Sequence, residues 1–333
     1  MDSHKADWVV SDYRFASGET IPGLRLHYRT LGAPRHGADG TCGNAVLLLH
    51  NTSGSSDLFL QDESAQALFG DGGPLDPAEY YVIIPDAIGH GATSKPSNGL
   101  KASFPHYTYG DMIDAQHRLV TDGLGISTLR LVLGVSMGAM HTWMWAERFP
   151  DMMRAAVAIA SEPETIRGRN LLWRRLVVDA IRSDPGYQDG DYDTQPHAVG
   201  FCWNLMNLLI SGVADLEDEL PDIPAADGVI EEVDKIAREE HDANDLLYQI
   251  DASKDYDPAA GLEAITALFT AINFQTDTLN PPELTAMNQA IQRVGSGKAI
   301  TVPSGRRPGG HNSALTPKLW AQYVQTALEE SAN

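Results

Sequence analysis

The chain has 333 residues, and 45 acidic against 24 basic side chains give it a formal net charge of −21. That balance repels nucleic acid and anionic lipid before any specific contact can form, so neither is an expected partner. Hydrophobic residues make up 43% of the chain, enough for a large core, yet no apolar run is long enough to span a bilayer.

The opening MDSHKADWVVSDYRF lacks the charged-then-apolar order of a secretory signal, so the expected address is cytoplasmic. Cys42 and Cys202 stand far apart, in no redox or metal spacing, and read as lone thiols. The length suits a single α/β domain carrying an insertion.

Residues 8 to 31 alternate Val9, Tyr13, Phe15, Leu24, Leu26 and Tyr28 around Pro22-Gly23, which predicts an antiparallel hairpin at a sheet edge. Ala45 to Leu49 is a continuous apolar run of the kind buried on both faces in a parallel sheet. It leads into His50-Asn51-Thr52-Ser53-Gly54. Tyr81 to Pro85 predicts another buried strand, and the glycine-rich 86–94 that follows lacks the lysine of a phosphate loop, so it reads as a tight crossover. Met112, Ile113, Leu119 and Val120 recur at helical spacing between Thr108 and Leu124.

Leu129 to Leu133 is short and apolar. It ends in Gly134-Val135-Ser136-Met137-Gly138, and a helical pattern runs on to Pro150. A strand, a Gly-x-Ser-x-Gly turn and a helix in that order suit a nucleophile elbow, in which side chains at 134 and 138 would crowd the turn. Ser136 is the candidate nucleophile, and the Met137 amide at the helix start can face a developing oxyanion.

Arg154 to Ser161 predicts the next strand. From Glu162 the texture becomes helical, with stretches at 170–182, 197–210 and 229–250 and no strand between them. The acidic 215–222 reads as a solvated loop, and FCWNLMNLLI at 201–210 is apolar almost all round, which predicts burial under the helices or against a second subunit. Strand texture returns at Leu268 to Phe274, followed by a helix over 283–294, a strand over 299–302, Pro308-Gly309-Gly310-His311-Asn312 and a closing helix.

These elements predict an α/β-hydrolase fold: a mostly parallel central sheet flanked by helices, with residues 1–161 and 267–333 as the core and 162–266 as a helical cap. In that layout the acid follows a late strand and the histidine the last one, which selects Asp277 and His311 as partners of Ser136. Glu283 and Asp257 are the fallback acids. The loop after the Ala45–Leu49 strand supplies the second oxyanion amide, assigned to Thr52 with Asn51 as the near alternative. His50 leaves its strand too far upstream to be the base and is expected to shape that loop. No zinc motif appears, and no metal or cofactor is expected.

The chain also resembles the homoserine O-acetyltransferase branch of the α/β-hydrolases, which includes acetyl esterases. The resemblance is clearest through FPHYTYGDMIDAQHRLVTDGLGISTLRLVLGVSMGAMHTWMWAERFPDMMRAAVAIAS, then DPGYQDGDYDTQP, HDANDLLYQIDASKDYD, the TD-x-L-x-PP segment and GGHNSAL. It implies a Ser136, Asp277, His311 triad, a ping-pong acyl-enzyme, an oxyanion hole at Thr52 and Met137, and a homodimer joined through cap helices. The branch's acetyltransferases carry an arginine for the homoserine carboxylate where this sequence has Asn204 and Leu205, and an aspartate for the ammonium where it has Asn312.

Asn51, Asn204 and Asn312 are then the candidate substrate-facing residues. The expected activity is hydrolysis of short-chain, acetyl-type esters, small molecules, with water in place of homoserine. Acyl transfer to an alcohol is the alternative, since the two share every step up to the acyl-enzyme. A catalytically silent binding protein is the third reading, which intact Ser136 and His311 disfavour.

Overall fold

A computed structural model describes residues 3–303 and 308–332. Eight strands form one sheet in the order β1-β2-β4-β3-β5-β6-β7-β8: β1 (His4–Arg14), β2 (Thr20–Leu31), β3 (Ala45–Leu49), β4 (Tyr81–Pro85), β5 (Leu129–Val135), β6 (Met153–Ile159), β7 (Leu268–Phe274) and β8 (Gly297–Val302). β1 pairs antiparallel with β2 and β2 with β4, and every other pairing is parallel.

The central strands are buried on both faces. Val132 of β5 joins one apolar layer and Leu131, Leu133 and Val135 the other. Successive side chains point to opposite faces, so the run that looked uniformly apolar feeds two cores at about 1.5–3 kcal/mol per fully buried side chain. On one face lie α2 (Tyr109–Arg118) and α3 (Met137–Arg148), and on the other α1 (Asp62–Phe69) and the closing helix (Ala321–Glu330).

Between β6 and β7 the chain is helical. It forms α4 (Gly168–Ser183), α5 (Ala198–Ile210), α6 (Val213–Glu219), α7 (Ile223–Glu240) and α8 (Ala243–Asp251). No helix among the described residues is long and apolar enough to cross a membrane.

Five local expectations are corrected. The hairpin turns at residues 15–19, not at Pro22-Gly23: the Phe15 amide donates to the Glu19 carbonyl at 2.9 Å, and Gly23 pairs with Ser11 inside the ladder. Along β2, β4 pairs only with Tyr28–Leu31, so Pro22 sits where β2 has an open edge and its missing N–H costs no bond.

The acidic stretch is not a loop, because most of it forms α6. The long helix expected over 229–250 is two helices broken at His241-Asp242, where the Asp242 carboxylate caps α8 by accepting from the Asn244 and Asp245 amides. The helix expected over 283–294 is interrupted at Thr285, which sits at φ 56°, ψ 0°. The FCWNLMNLLI helix is buried along one side only, with Phe201 and Leu208 exposed.

Candidate active site

β5 ends at Val135, and α3 starts at Met137 with a single residue between them. That residue, Ser136, takes φ 54° and ψ −112°, a conformation that costs a non-glycine residue roughly 1–3 kcal/mol and persists only where the surroundings over-determine it. They do so here. A Cβ on Gly134 would lie 1.9 Å from the Gly138 carbonyl oxygen, and one on Gly138 would lie 2.0 Å from that of Leu49. Strand, turn and helix therefore approach more closely than any side chain permits. The Ser136 amide donates to the Ile159 carbonyl at 2.8 Å, tying the turn to β6.

His311 reaches the serine from the opposite wall. Its Nε2 is 2.8 Å from Ser136 Oγ, and its Nδ1 is 2.8 Å from Asp277 Oδ2. Asp277 follows β7 and is buried, with both oxygens occupied: Oδ1 accepts from the Leu279 and Asn280 amides at 2.8 and 3.1 Å, and Oδ2 also accepts from Asn280 Nδ2 at 3.0 Å. Burial alone would raise this carboxyl. The His311 charge and the donated hydrogen bonds outweigh it, and the net shift is down, so the group stays ionised. Glu283 and Asp257 do not take this place: Asp257 instead caps a short turn by accepting from the Ala259 amide.

The histidine loop is braced against the helical stretch between β6 and β7. Gly310 forms a bridge with Ser211, Gly309 donates to Asp215 Oδ2 at 2.8 Å, and Thr278 Oγ1 donates to the Leu209 carbonyl at 2.6 Å. Gly310, at φ 65°, has no room for a Cβ, which would lie 2.6 Å from the Ser211 carbonyl carbon. Gly310 is therefore required by close contact with the end of α5.

The loop after β3 is shaped by two histidines. His50 Nδ1–H donates to the Asn51 carbonyl at 2.7 Å, and its Nε2 accepts from the Ala87 amide at 3.0 Å, which fixes one neutral tautomer. His90 faces two carbonyls, Ile88 at 3.0 Å and Thr52 at 2.9 Å. Burial, with the His50 ring beside it, pushes His90 down to about 3, so it is neutral and donates to one of the two at a time.

Above Ser136 lies a cavity of about 420 Å³, walled by the loop after β3, the 161–174 segment, the end of α5 and the histidine loop. Asn51, Thr52, Ser136, His311 and Asn312 all line it. Met137 opens α3 directly beside the serine, where first-turn amides lack intrahelical partners. Asn204 is not brought to this cavity. Its amide donates to the Gly200 and Ile230 carbonyls at 3.2 Å each, joining α5 to α7.

Sequence reading missed two residues of the cavity wall. One is Arg174, on α4. The other is Glu162, whose Oε1 accepts from Asn273 Nδ2 at 2.9 Å while its buried Oε2 has no partner. No period or motif marks either position: a carboxylate one residue past a strand and an arginine in RNLLWRRL both read as surface charge.

Burial raises the Glu162 carboxyl to about 7, with the Glu164 and Asp277 charges adding to the effect. An acid whose folded pKa exceeds its unfolded one holds extra protons in the folded state between the two values. The stability contribution of Glu162 therefore declines as pH rises from 4.5 to about 7 and is lowest above that window. Glu162→Gln should remove the decline and exceed the parent above about pH 7 by up to about 3 kcal/mol, at about 1.4 kcal/mol per unit. Urea midpoints at about pH 5 and about pH 8 check this, and an equal effect at both would contradict a raised carboxyl.

Comparison with known proteins agrees with the fold. A family profile described as alpha/beta hydrolase fold matches residues 44–204. The chain is 30% identical to a homoserine O-acetyltransferase from Solidesulfovibrio magneticus, with 95% of this chain and 90% of that one aligned. It belongs to the α/β-hydrolase family, in the branch that holds homoserine O-acetyltransferases and acetyl esterases.

An ethyl acetate hydrolase from Pseudomonas veronii is 38% identical over 162 residues, which is 47% of this chain and 45% of that enzyme. Among solved structures, the acetyl esterase MekB superposes with a TM-score of 0.83 at 24% identity, covering 98% of this chain and 97% of its own.

Proposed function

We propose that the protein is a serine carboxylic ester hydrolase acting on short-chain, acetyl-type esters through an acyl-enzyme. The observation that carries this reading is His311 at 2.8 Å from both Ser136 Oγ and Asp277 Oδ2 beneath the cavity that Ser136 and His311 line. Ser136 Oγ attacks the ester carbonyl while His311 Nε2 takes its proton. The carbonyl oxygen becomes an anion facing the amides of Thr52 and Met137. His311 then returns the proton to the departing alcohol, leaving an acyl group on Ser136. Water repeats the sequence and releases the acid. Asp277, held ionised, orients the imidazole and stabilises its cation.

Hydrolysis is favoured over transfer to homoserine by what the cavity offers an amino acid. Asn312, which lines it, is neutral where the branch's transferases have an aspartate, and Asn204 is tied to α7. An ammonium without a partner loses roughly 2–5 kcal/mol of binding. Asn51 and Asn312 remain as polar contacts for a substrate.

Acyl transfer is the second reading, supported by the full-length similarity to a homoserine O-acetyltransferase. Acyl partitioning separates the two. With p-nitrophenyl acetate, with and without homoserine, mass spectrometry should find free acetate as the product whether or not homoserine is present. Acetylhomoserine as the main product would overturn hydrolysis. A homodimer through the cap is part of the same reading, with Phe201, Leu208, Ile223 and Ile230 standing exposed on α5 and α7.

A further inference from the structure

Arg174 is 7% exposed and lines the cavity above Ser136. Its Nε donates to Asn170 Oδ1 at 3.1 Å, and its guanidinium carbon lies 4.6 Å from the centre of the Trp173 ring. These two contacts fix the plane of the guanidinium. Its Nη1 is buried with no hydrogen-bond partner, and the side chain makes no ion pair among the described residues. Beside it, the buried Tyr109 hydroxyl makes no well-aligned hydrogen bond but lies close enough to Arg174 and Thr52 for both to favour its ionised form against the effect of burial.

A permanently charged donor left unsatisfied when buried is costly, and folded proteins keep few of them. The other arginines of the wall are better satisfied. Arg167 pairs with Glu164 at 2.8 Å, and Arg169 donates to the Thr278 carbonyl at 3.4 Å. A planar fork with its plane already set and a donor unused is matched by a carboxylate, the anion whose geometry fits a guanidinium group.

We infer that Arg174 binds a carboxylate carried by the ester substrate, so that the preferred substrates are short esters with an acid group near the scissile bond. This rests on the esterase reading and narrows it. The handle sits on α4, not on α5 where the branch's transferases hold the homoserine carboxylate. The carboxylate can belong to the acyl half or to the alcohol half, and matched probes distinguish the two.

For the acyl half, the mono-p-nitrophenyl ester of succinic acid is compared with p-nitrophenyl butyrate. For the alcohol half, acetoxyacetate is compared with its methyl ester. In the parent protein one acid should exceed its neutral counterpart in kcat/KM by about thirtyfold or more, the effect expected for a desolvated charge pair. Arg174→Gln should bring that ratio to about one, mainly through KM, and Arg174→Lys should keep part of it. Parent ratios at or below one in both pairs, or a ratio that Arg174→Gln leaves unmoved, would overturn the inference.

Near-ultraviolet circular dichroism checks that the variants fold. Should they not, competitive inhibition of the parent by succinate against succinamide decides the matter: stronger inhibition by succinate is expected, and equal or weaker inhibition overturns it. Turnover of p-nitrophenyl acetate by the parent reports on the esterase reading separately, since that ester carries no acid.

Discussion

Ser136→Ala is expected to lower kcat for p-nitrophenyl acetate by about five orders of magnitude, because no other nucleophile stands within reach of His311 Nε2 among the described residues. The residual rate would come from oxyanion stabilisation and binding alone, typically about a thousandfold over water. Alanine removes the hydroxyl while leaving the elbow otherwise intact: the Ser136 amide still bonds to Ile159, and its carbonyl still accepts from the Met140 amide at 3.0 Å. Alanine meets the same positive φ as serine, so fold stability should move far less than activity. Retained turnover in a folded variant would remove Ser136 from its assigned role.

Asp277→Asn should cost about 10⁴-fold in kcat with little change in KM. Two backbone amides, of Leu279 and Asn280, point at Oδ1. An asparagine must turn its carbonyl oxygen toward them, which leaves its NH₂ facing His311 Nδ1. The imidazole then has to accept at Nδ1 and carry its proton on Nε2, where it can no longer take one from Ser136. The loss of activity is one of tautomer, not of shape, so activity should fall far more than thermal stability, which loses the bond from Asn280 Nδ2 to Oδ2. A loss below about tenfold in a folded variant would mean that another group orients His311.

The elbow was legible because its physics is local. A five-residue pattern, an apolar run before it and an uninterrupted helix after it require glycine at two close approaches, and a Cβ at either would lie about 2 Å from a backbone oxygen. The sheet strands were legible for a similar reason, since buried parallel strands need continuous apolar runs, and Ala45–Leu49 and Tyr81–Pro85 form as read. Asp277 and His311 could be selected only by chain order, because nothing near either residue states that they meet.

What sequence could not reach depends on tertiary partners. Pro22-Gly23 has turn chemistry, yet register with β1 holds it inside a strand. Asp242 ends one helix pattern and caps the next, a choice that spacing alone does not reveal. Asn204 lies on the expected helix but rotates toward α7 and away from the cavity, and a helical residue's facing is fixed only once its neighbours are placed. Arg174 looked like an ordinary solvated charge on α4 and became notable only when burial left its Nη1 without a partner.

The most direct test of Ser136 as the nucleophile is to label the protein with a fluorophosphonate and map the adduct by peptide mass spectrometry. The expected result is one covalent modification on the peptide containing Ser136, absent in Ser136→Ala and slowed in Asp277→Asn. An unlabelled protein, or an adduct on another residue that persists in Ser136→Ala, would contradict an acyl-enzyme at this serine.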